Sequence, residues 1–176
     1  MPKKFLWLAA AGAVLLLSGC GTTTTTLASS PWLKVDSAAH TVDLTLDAGL
    51  TSVNGWANFN GYANGNMAVN IPVGYKVNVT MNNDGGIPFE VGVYNGGNHL
   101  AFPGAGMSVS AMVANSAAGV FPGQSEQFSF VASKVGHYEI ENLLDRIDAQ
   151  TRPENFGMWD VLNVVSGGPS SITVQN

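Results

Sequence analysis

From His40 onward, apolar and polar residues alternate with a period of two, and that pattern leaves few folds open. Val42, Leu44 and Leu46 fall on one side, with Thr41, Asp43, Thr45 and Asp47 on the other, as in a half-buried strand. The alternation returns over Met67 to Ile71 and over Lys76 to Met81, through Val77, Val79 and Met81. Further strands are predicted at Asn58 to Tyr62, Phe89 to Tyr94, Gln127 to Ala132, Gly136 to Asn142, Met158 to Val165 and Ile172 to Val174. Pro72-Val73-Gly74, Asn82-Asn83-Asp84-Gly85-Gly86 and Asn95-Gly96-Gly97-Asn98 supply the turns between them, since Gly, Asn and Pro each favour a backbone geometry that reverses the chain. Short strands at regular spacing predict an all-β sandwich or barrel. The one helix-tolerant stretch, Glu141 to Asn155, reads as a loop with a single short helical turn that ends before Pro153.

Composition narrows the function. The 176 residues fit one domain. Only 11% are charged, less than half the usual ~25%. Seven Lys and Arg stand against twelve Asp and Glu, so there is no basic footprint for a phosphate backbone and no nucleic-acid partner is expected. The single Cys rules out an internal disulfide framework and a cysteine zinc cluster. Gly104-Ala105-Gly106 is followed by no Lys-Ser/Thr pair, and there is no Gly-x-Ser-x-Gly elbow. The chain is therefore not expected to be an enzyme.

The first residues read as an address. Lys3 and Lys4 precede the uncharged apolar run Phe5 to Leu17, which falls short of the roughly 20 residues a spanning helix needs. It ends in Leu17-Ser18-Gly19-Cys20, which resembles the bacterial lipobox, where a peptidase cuts before a Cys whose thiol carries lipid. This predicts a lipoprotein signal peptide over 1–19, lipidation at Cys20, a Thr-rich linker over 20–31 and one domain over 32–176. Localisation follows as the cell envelope, lipid-anchored on the periplasmic or extracellular face. The only thiol of the chain is thereby assigned to the membrane.

Several segments, in order, resemble the sulfocyanin branch of the cupredoxins, small blue-copper proteins of respiratory chains. They are Phe59-Asn60-Gly61-Tyr62-Ala63-Asn64-Gly65-Asn66-Met67 with Ile71-Pro72-Val73-Gly74, then Asn82-Asn83-Asp84-Gly85-Gly86-Ile87-Pro88-Phe89-Glu90-Val91-Gly92-Val93, and Gly157-Met158-Trp159-Asp160-Val161. Pro122-Gly123-Gln124-Ser125 and Ala132-Ser133-Lys134-Val135-Gly136-His137-Tyr138 also fit. The resemblance spans roughly residues 50 to 166 and implies a Greek-key β-sandwich.

It also implies a site. A blue-copper centre takes two His nitrogens, one Cys thiolate and a weak, long axial Met. The family's first His follows Ile-Pro, where this chain has Phe89. Its Cys falls on Asn142, its second His near Ile147, and its axial Met on Met158, which is intact before Trp159. The expectation is a cupredoxin scaffold without type 1 copper and with no cofactor. It would act as a non-catalytic binding or accessory component of an electron-transport or copper-handling system. The alternative is copper electron transfer or storage through a rearranged site that pairs Met158 with a His or a carboxylate.

The remaining candidates are dispersed. His40, His99 and His137 are the only imidazoles, and no spacing brings two together. Met107 and Met112 could form a thioether site, although Met more often fills gaps. Glu139, Glu141, Asp145, Asp148, Glu154 and Asp160 make the C-terminal third acidic, a solvated stretch on the plain reading. On the sharper reading, Asp145, Arg146 and Asp148 lie at the end of the sandwich as a docking patch for a cytochrome or oxidase partner.

Overall fold

A computed structural model of the chain describes residues 23–27, 30–96, 99–106, 119–144 and 157–175. Among these residues ten strands are formed: β1 (Thr24–Leu27), β2 (Leu33–Asp36), β3 (Thr41–Ala48), β4 (Met67–Pro72), β5 (Lys76–Asn83), β6 (Gly92–Tyr94), β7 (Ser125–Val131), β8 (Gly136–Glu141), β9 (Trp159–Val165) and β10 (Ser171–Gln175). They make two sheets, β1-β10-β4-β9-β8-β6 and β2-β3-β5-β7. The result is an all-β sandwich, one of the two folds that the alternation predicts, and the Greek-key sandwich is the one that the family resemblance implies. Two of the pairings, β3 with β5 and β4 with β9, are parallel, and the rest are antiparallel.

The period-two pattern fixes which face is buried. Val42, Leu44, Leu46 and Ala48 of β3 point inward, as do Met67, Val69 and Ile71 of β4 and Val77, Val79 and Met81 of β5. Leu162 and Val164 of β9 and Ile172 and Val174 of β10, in the same sheet as β4, close the core opposite β3 and β5. Each of these Val, Leu, Ile and Met side chains contributes about 1.5–3 kcal/mol when it leaves water. A slip of one residue in any of these strands would exchange its two faces, so the register is tightly specified.

Three expectations change. The Thr-rich stretch expected as linker is a strand over Thr24–Leu27, paired with β10 from Thr24↔Gln175 to Leu27↔Ile172. Asn58 to Tyr62 is a tight reversal carrying the bridges Ala48↔Phe59 and Phe59↔Tyr62, because Asn60 and Gly61 both take positive φ. The strand expected from Phe89 is regular only over Gly92–Tyr94. Its first part is held by a single bridge between Phe89 and Val120.

One end of the sandwich gathers the pieces that matter for function. There β3 and β5 finish at Ala48 and Asn83, while β4 and β9 begin at Met67 and Trp159. The register ties them together, for Asp84 N–H donates to Ala48 O at 2.9 Å and Gly65 N–H to Trp159 O at 2.9 Å.

Candidate functional site

Asn83, at the end of β5, builds the turn that places Phe89. Its buried amide donates to Ile87 O at 2.8 Å and Val120 O at 2.7 Å, and accepts from Gly85 N–H at 2.9 Å. Phe89 then exchanges backbone hydrogen bonds with Val120 at 3.1 and 2.7 Å. Its ring, 1% exposed, lies over Gly85 and Gly49, where an added Cβ would sit 2.6 and 3.1 Å from Phe89 Cε2. The position that the resemblance gives to an imidazole is thus an apolar plug, packed against backbone.

Asn142 follows β8 and Met158 precedes β9, so the β8–β9 pairing carries them to the same end. Asn142 N–H donates to Met158 O at 3.1 Å. Its side-chain Nδ2 donates to Met158 Sδ at 3.4 Å, and its Oδ1 accepts from Glu90 N–H and Leu144 N–H, both at 3.2 Å. Both residues are buried, at 2% exposure each. Sequence reasoning places Asn142 and Met158 at adjacent ligand positions, and the structure brings them into contact. The thioether faces an amide donor there.

The sequence reading misses Glu90. Its side chain is 0% exposed. Oε1 accepts Leu143 N–H at 2.6 Å, and the Tyr94 hydroxyl lies 3.3 Å from both carboxylate oxygens. Gly92 makes this possible, since a Cβ there would be 2.6 Å from the Tyr94 ring that folds back over it. A buried carboxylate without such donors would be strongly unfavourable. Glu90 therefore ties the Phe89 turn to the segment after Asn142. The available signal was its neighbourhood in the run Pro88-Phe89-Glu90-Val91-Gly92-Val93, where an isolated charge has to be accommodated inside.

Asp160 and Glu141 also depart from expectation. Both are buried, Asp160 at 0% and Glu141 at 5% exposure, and Glu139 is half-buried, so this part of the acidic stretch is not a solvated face. Asp160 shares the inward parity of Leu162 and Val164 on β9. Its Oδ1 accepts Met67 N–H at 2.9 Å while Oδ2 has no hydrogen-bond partner. Burial pushes its carboxyl up to about 8, against the smaller opposing effect of the Met67 hydrogen bond.

The imidazoles stay apart from this centre. His40 sits in the turn before β3 at φ 51, stacked on Tyr75 at 5.0 Å. His137 contacts Asn163 Oδ1 at 2.6 Å on the exposed side of β8. His99 is exposed after β6. Among the described residues no three of His, Cys, Asp and Glu cluster as a metal site. A phenyl ring, an amide already engaged on both its atoms and a thioether do not fit the two-His, one-Cys donor set of blue copper. Cys20, Met107, Met112, Asp145, Arg146, Ile147 and Asp148 lie outside the described residues. A shallow polar groove of about 610 Å³ runs over the outer face of the four-stranded sheet, lined by Lys34, Asp43, Thr45, Asn78, Thr80 and Gln127, away from Met158. No helix among the described residues is long and apolar enough to cross a membrane.

Comparison with known proteins follows this geometry. A blue copper oxidase from Nitrosomonas europaea superposes with a TM-score of 0.50 at 17% identity, over 72% of this chain and 39% of that one. A copper nitrite reductase from the same organism gives 0.48 at 22% identity, over 70% and 41%. Auracyanin A from Chloroflexus aurantiacus, described as a "blue" copper protein, gives 0.44 at 14% identity, over 71% and 99%. The chain thus spans about two-fifths of the oxidase and reductase chains. At these identities the likeness is one of fold. No curated protein sequence matches. The model of the Sulfocyanin (SoxE) domain matches residues 28–168, most of the chain and all of the site above. The chain belongs to the sulfocyanin family of cupredoxins.

Proposed function

We propose that this is a lipid-anchored sulfocyanin-family domain that works outside the cytoplasm without type 1 copper. It serves as a non-catalytic binding or accessory component of an electron-transport or copper-handling system. The observation that carries the reading is the contact between Asn142 and Met158. The residue at the thiolate position offers an amide that is already spent on Glu90, Leu144 and the Met158 sulfur. Sulfocyanins and related cupredoxins carry electrons through a thiolate-bound copper, and an amide supplies neither the soft ligand nor the electronic coupling. Cys20 is assigned to the anchor, because acyl chains hold a protein on a bilayer at about 0.8 kcal/mol per buried CH₂. A cytochrome or oxidase is the partner class, met through Asp145, Arg146 and Asp148, whose charge would speed encounter.

Titration of the purified protein with Cu(I) and Cu(II), followed by absorption, tests the reading. No intense blue charge-transfer band is expected. Such a band would overturn the copper-free reading. Tight stoichiometric binding of colourless Cu(I) would favour the alternative, storage or delivery through Met158 and a rearranged donor set.

A further inference from the structure

We propose that the loop between β3 and β4, residues 49–66, seats on the lipid bilayer with Trp56 at its tip. The inference rests on the anchor assigned to Cys20 and deepens it by saying which side of the domain faces the membrane.

Three observations converge. The first is the loop's shape. Asn54, Gly55 and Trp56 hold φ of 51, 62 and 72, three successive left-handed residues; Asn and Gly tolerate that region, but the bulky Trp56 does not. Such a conformation persists only where its surroundings over-determine it. Here the buried Asn58 does so, donating to Thr51 O at 2.7 Å and Val53 O at 2.8 Å and accepting from Gly61 N–H at 3.1 Å. Asn54 Nδ2 adds a bond to Ala57 O at 2.8 Å. The strained turn displays Trp56 at 54% exposure, beside Val53 at 47% and Leu50 at 40%.

The second is charge. Residues 48–75 contain no Asp, Glu, Lys, Arg or His, so the loop enters an interface without stripping water from an ion. Trp is the side chain best suited to the headgroup level, with an apolar body and one N–H for a polar neighbour. The exposed Val73, Val131 and Val135 at the opposite end lie close in sequence to the exposed Lys76 and Lys134 and lack this neutrality.

The third is the tether. Thr24 pairs with Gln175, whose N–H donates to Asn66 O at 2.8 Å. The chain therefore enters β1 at the end, and on the flank, where the loop joins β4. Cys20 precedes Thr24 by four residues, a reach of at most about 14 Å. A lipid at Cys20 holds this end of the sandwich against the bilayer.

The test uses the full chain produced in a lipidating bacterial host. Mass spectrometry first reads acylation at Cys20. The protein is then reconstituted in phosphatidylcholine vesicles with brominated acyl chains, and Trp emission is compared for the native chain, Trp56→Phe and Val53→Asp. We expect a blue-shifted, bromolipid-quenched component in the native chain that is lost in Trp56→Phe and weakened in Val53→Asp, with circular dichroism unchanged. Equal quenching in native chain and Trp56→Phe, or a native spectrum blind to brominated lipid, overturns the proposal and leaves an apolar protein surface as the loop's occupant. If Cys20 carries no acyl group, the anchor reading fails by itself. Coupling the sole Cys to a maleimide-headgroup lipid then restores the tether, and the same quenching comparison decides the loop.

Discussion

Asn142 Nδ2 stands 3.4 Å from Met158 Sδ and bonds to it as a donor. Two residues 16 apart in sequence thus meet at the position where the family resemblance puts a copper thiolate beside an axial thioether. If Met158 is there for packing, its replacement by Leu removes the acceptor of the buried Asn142 Nδ2–H while nearly keeping the volume. We expect Met158→Leu to cost about 1–3 kcal/mol in urea denaturation and to leave any copper titration unchanged. Loss of a stoichiometric copper signal in this variant would assign the sulfur to a metal.

Asn142→Ala should be the more damaging change. It removes the acceptor of two buried N–H groups, those of Glu90 and Leu144. Each orphaned group costs about 1–3 kcal/mol, so a loss of roughly 2–6 kcal/mol is expected by the same measurement. A change within 0.5 kcal/mol, the scatter ordinary for surface substitutions, would mean that water replaces the amide and that the site is open.

Restoring two ligands should not restore the colour. The double variant Phe89→His with Asn142→Cys supplies one imidazole and the thiolate, but no His follows His137 in the chain. Its absorption after copper addition should lack an intense blue band. Blue colour would show that His99 or His137 can be recruited to this end.

Asp160 predicts the sign of the pH response. Its carboxyl is pushed from 3.8 up to about 8 in the fold, so the folded state holds the proton more tightly than the unfolded chain. The associated stability is complete below about pH 4 and is lost as pH rises towards 8, at up to about 1.4 kcal/mol per pH unit. Thermal denaturation should show a melting temperature that falls across this window. Asp160→Asn keeps the acceptor for Met67 N–H and should flatten the slope. An unchanged slope in the variant would place the pH dependence elsewhere.

Gly157 sets where β9 begins. Its φ is 106, and an added Cβ would lie 1.9 Å from Asn64 Oδ1. Gly157→Ala should destabilise by about 1–3 kcal/mol through backbone strain alone, more if Asn64 cannot move. Near-native stability would mean that the turn before Met158 can relax.

Strands that separate core from solvent, such as β3, β4, β5 and β9, were legible because their residues alternate in chemistry as they alternate in space. β1 was not, since a run of Thr has a single chemistry on both faces and shows only in its β-branched preference for extended backbone. At the site, Phe89, Asn142 and Met158 could be placed from motif order, and the last two proved to be in contact. The three buried carboxylates, Glu90, Glu141 and Asp160, were missed for a common reason. An acidic residue in a sequence is ordinarily a surface residue, and only parity, Asp160 with Leu162 and Val164, marks it as inward-facing. The donors that make Glu90 tolerable come from Leu143 and Tyr94, one of them remote in sequence, and no local pattern announces them.

The place of β4 has a consequence for how the chain acquires its fold. This strand lies between β10 and β9, and both neighbours come from the last part of the sequence, with Ala68 opposite Val161 and Met67 opposite Val174. Until those residues have been synthesised, β4 has no neighbour on either side, and the six-stranded sheet cannot begin to close around it. Contacts of such sequence separation form late and slowly. A chain built this way cannot close its larger sheet around β4 until its last strands are available, and those strands are the ones that commit that sheet to its fold.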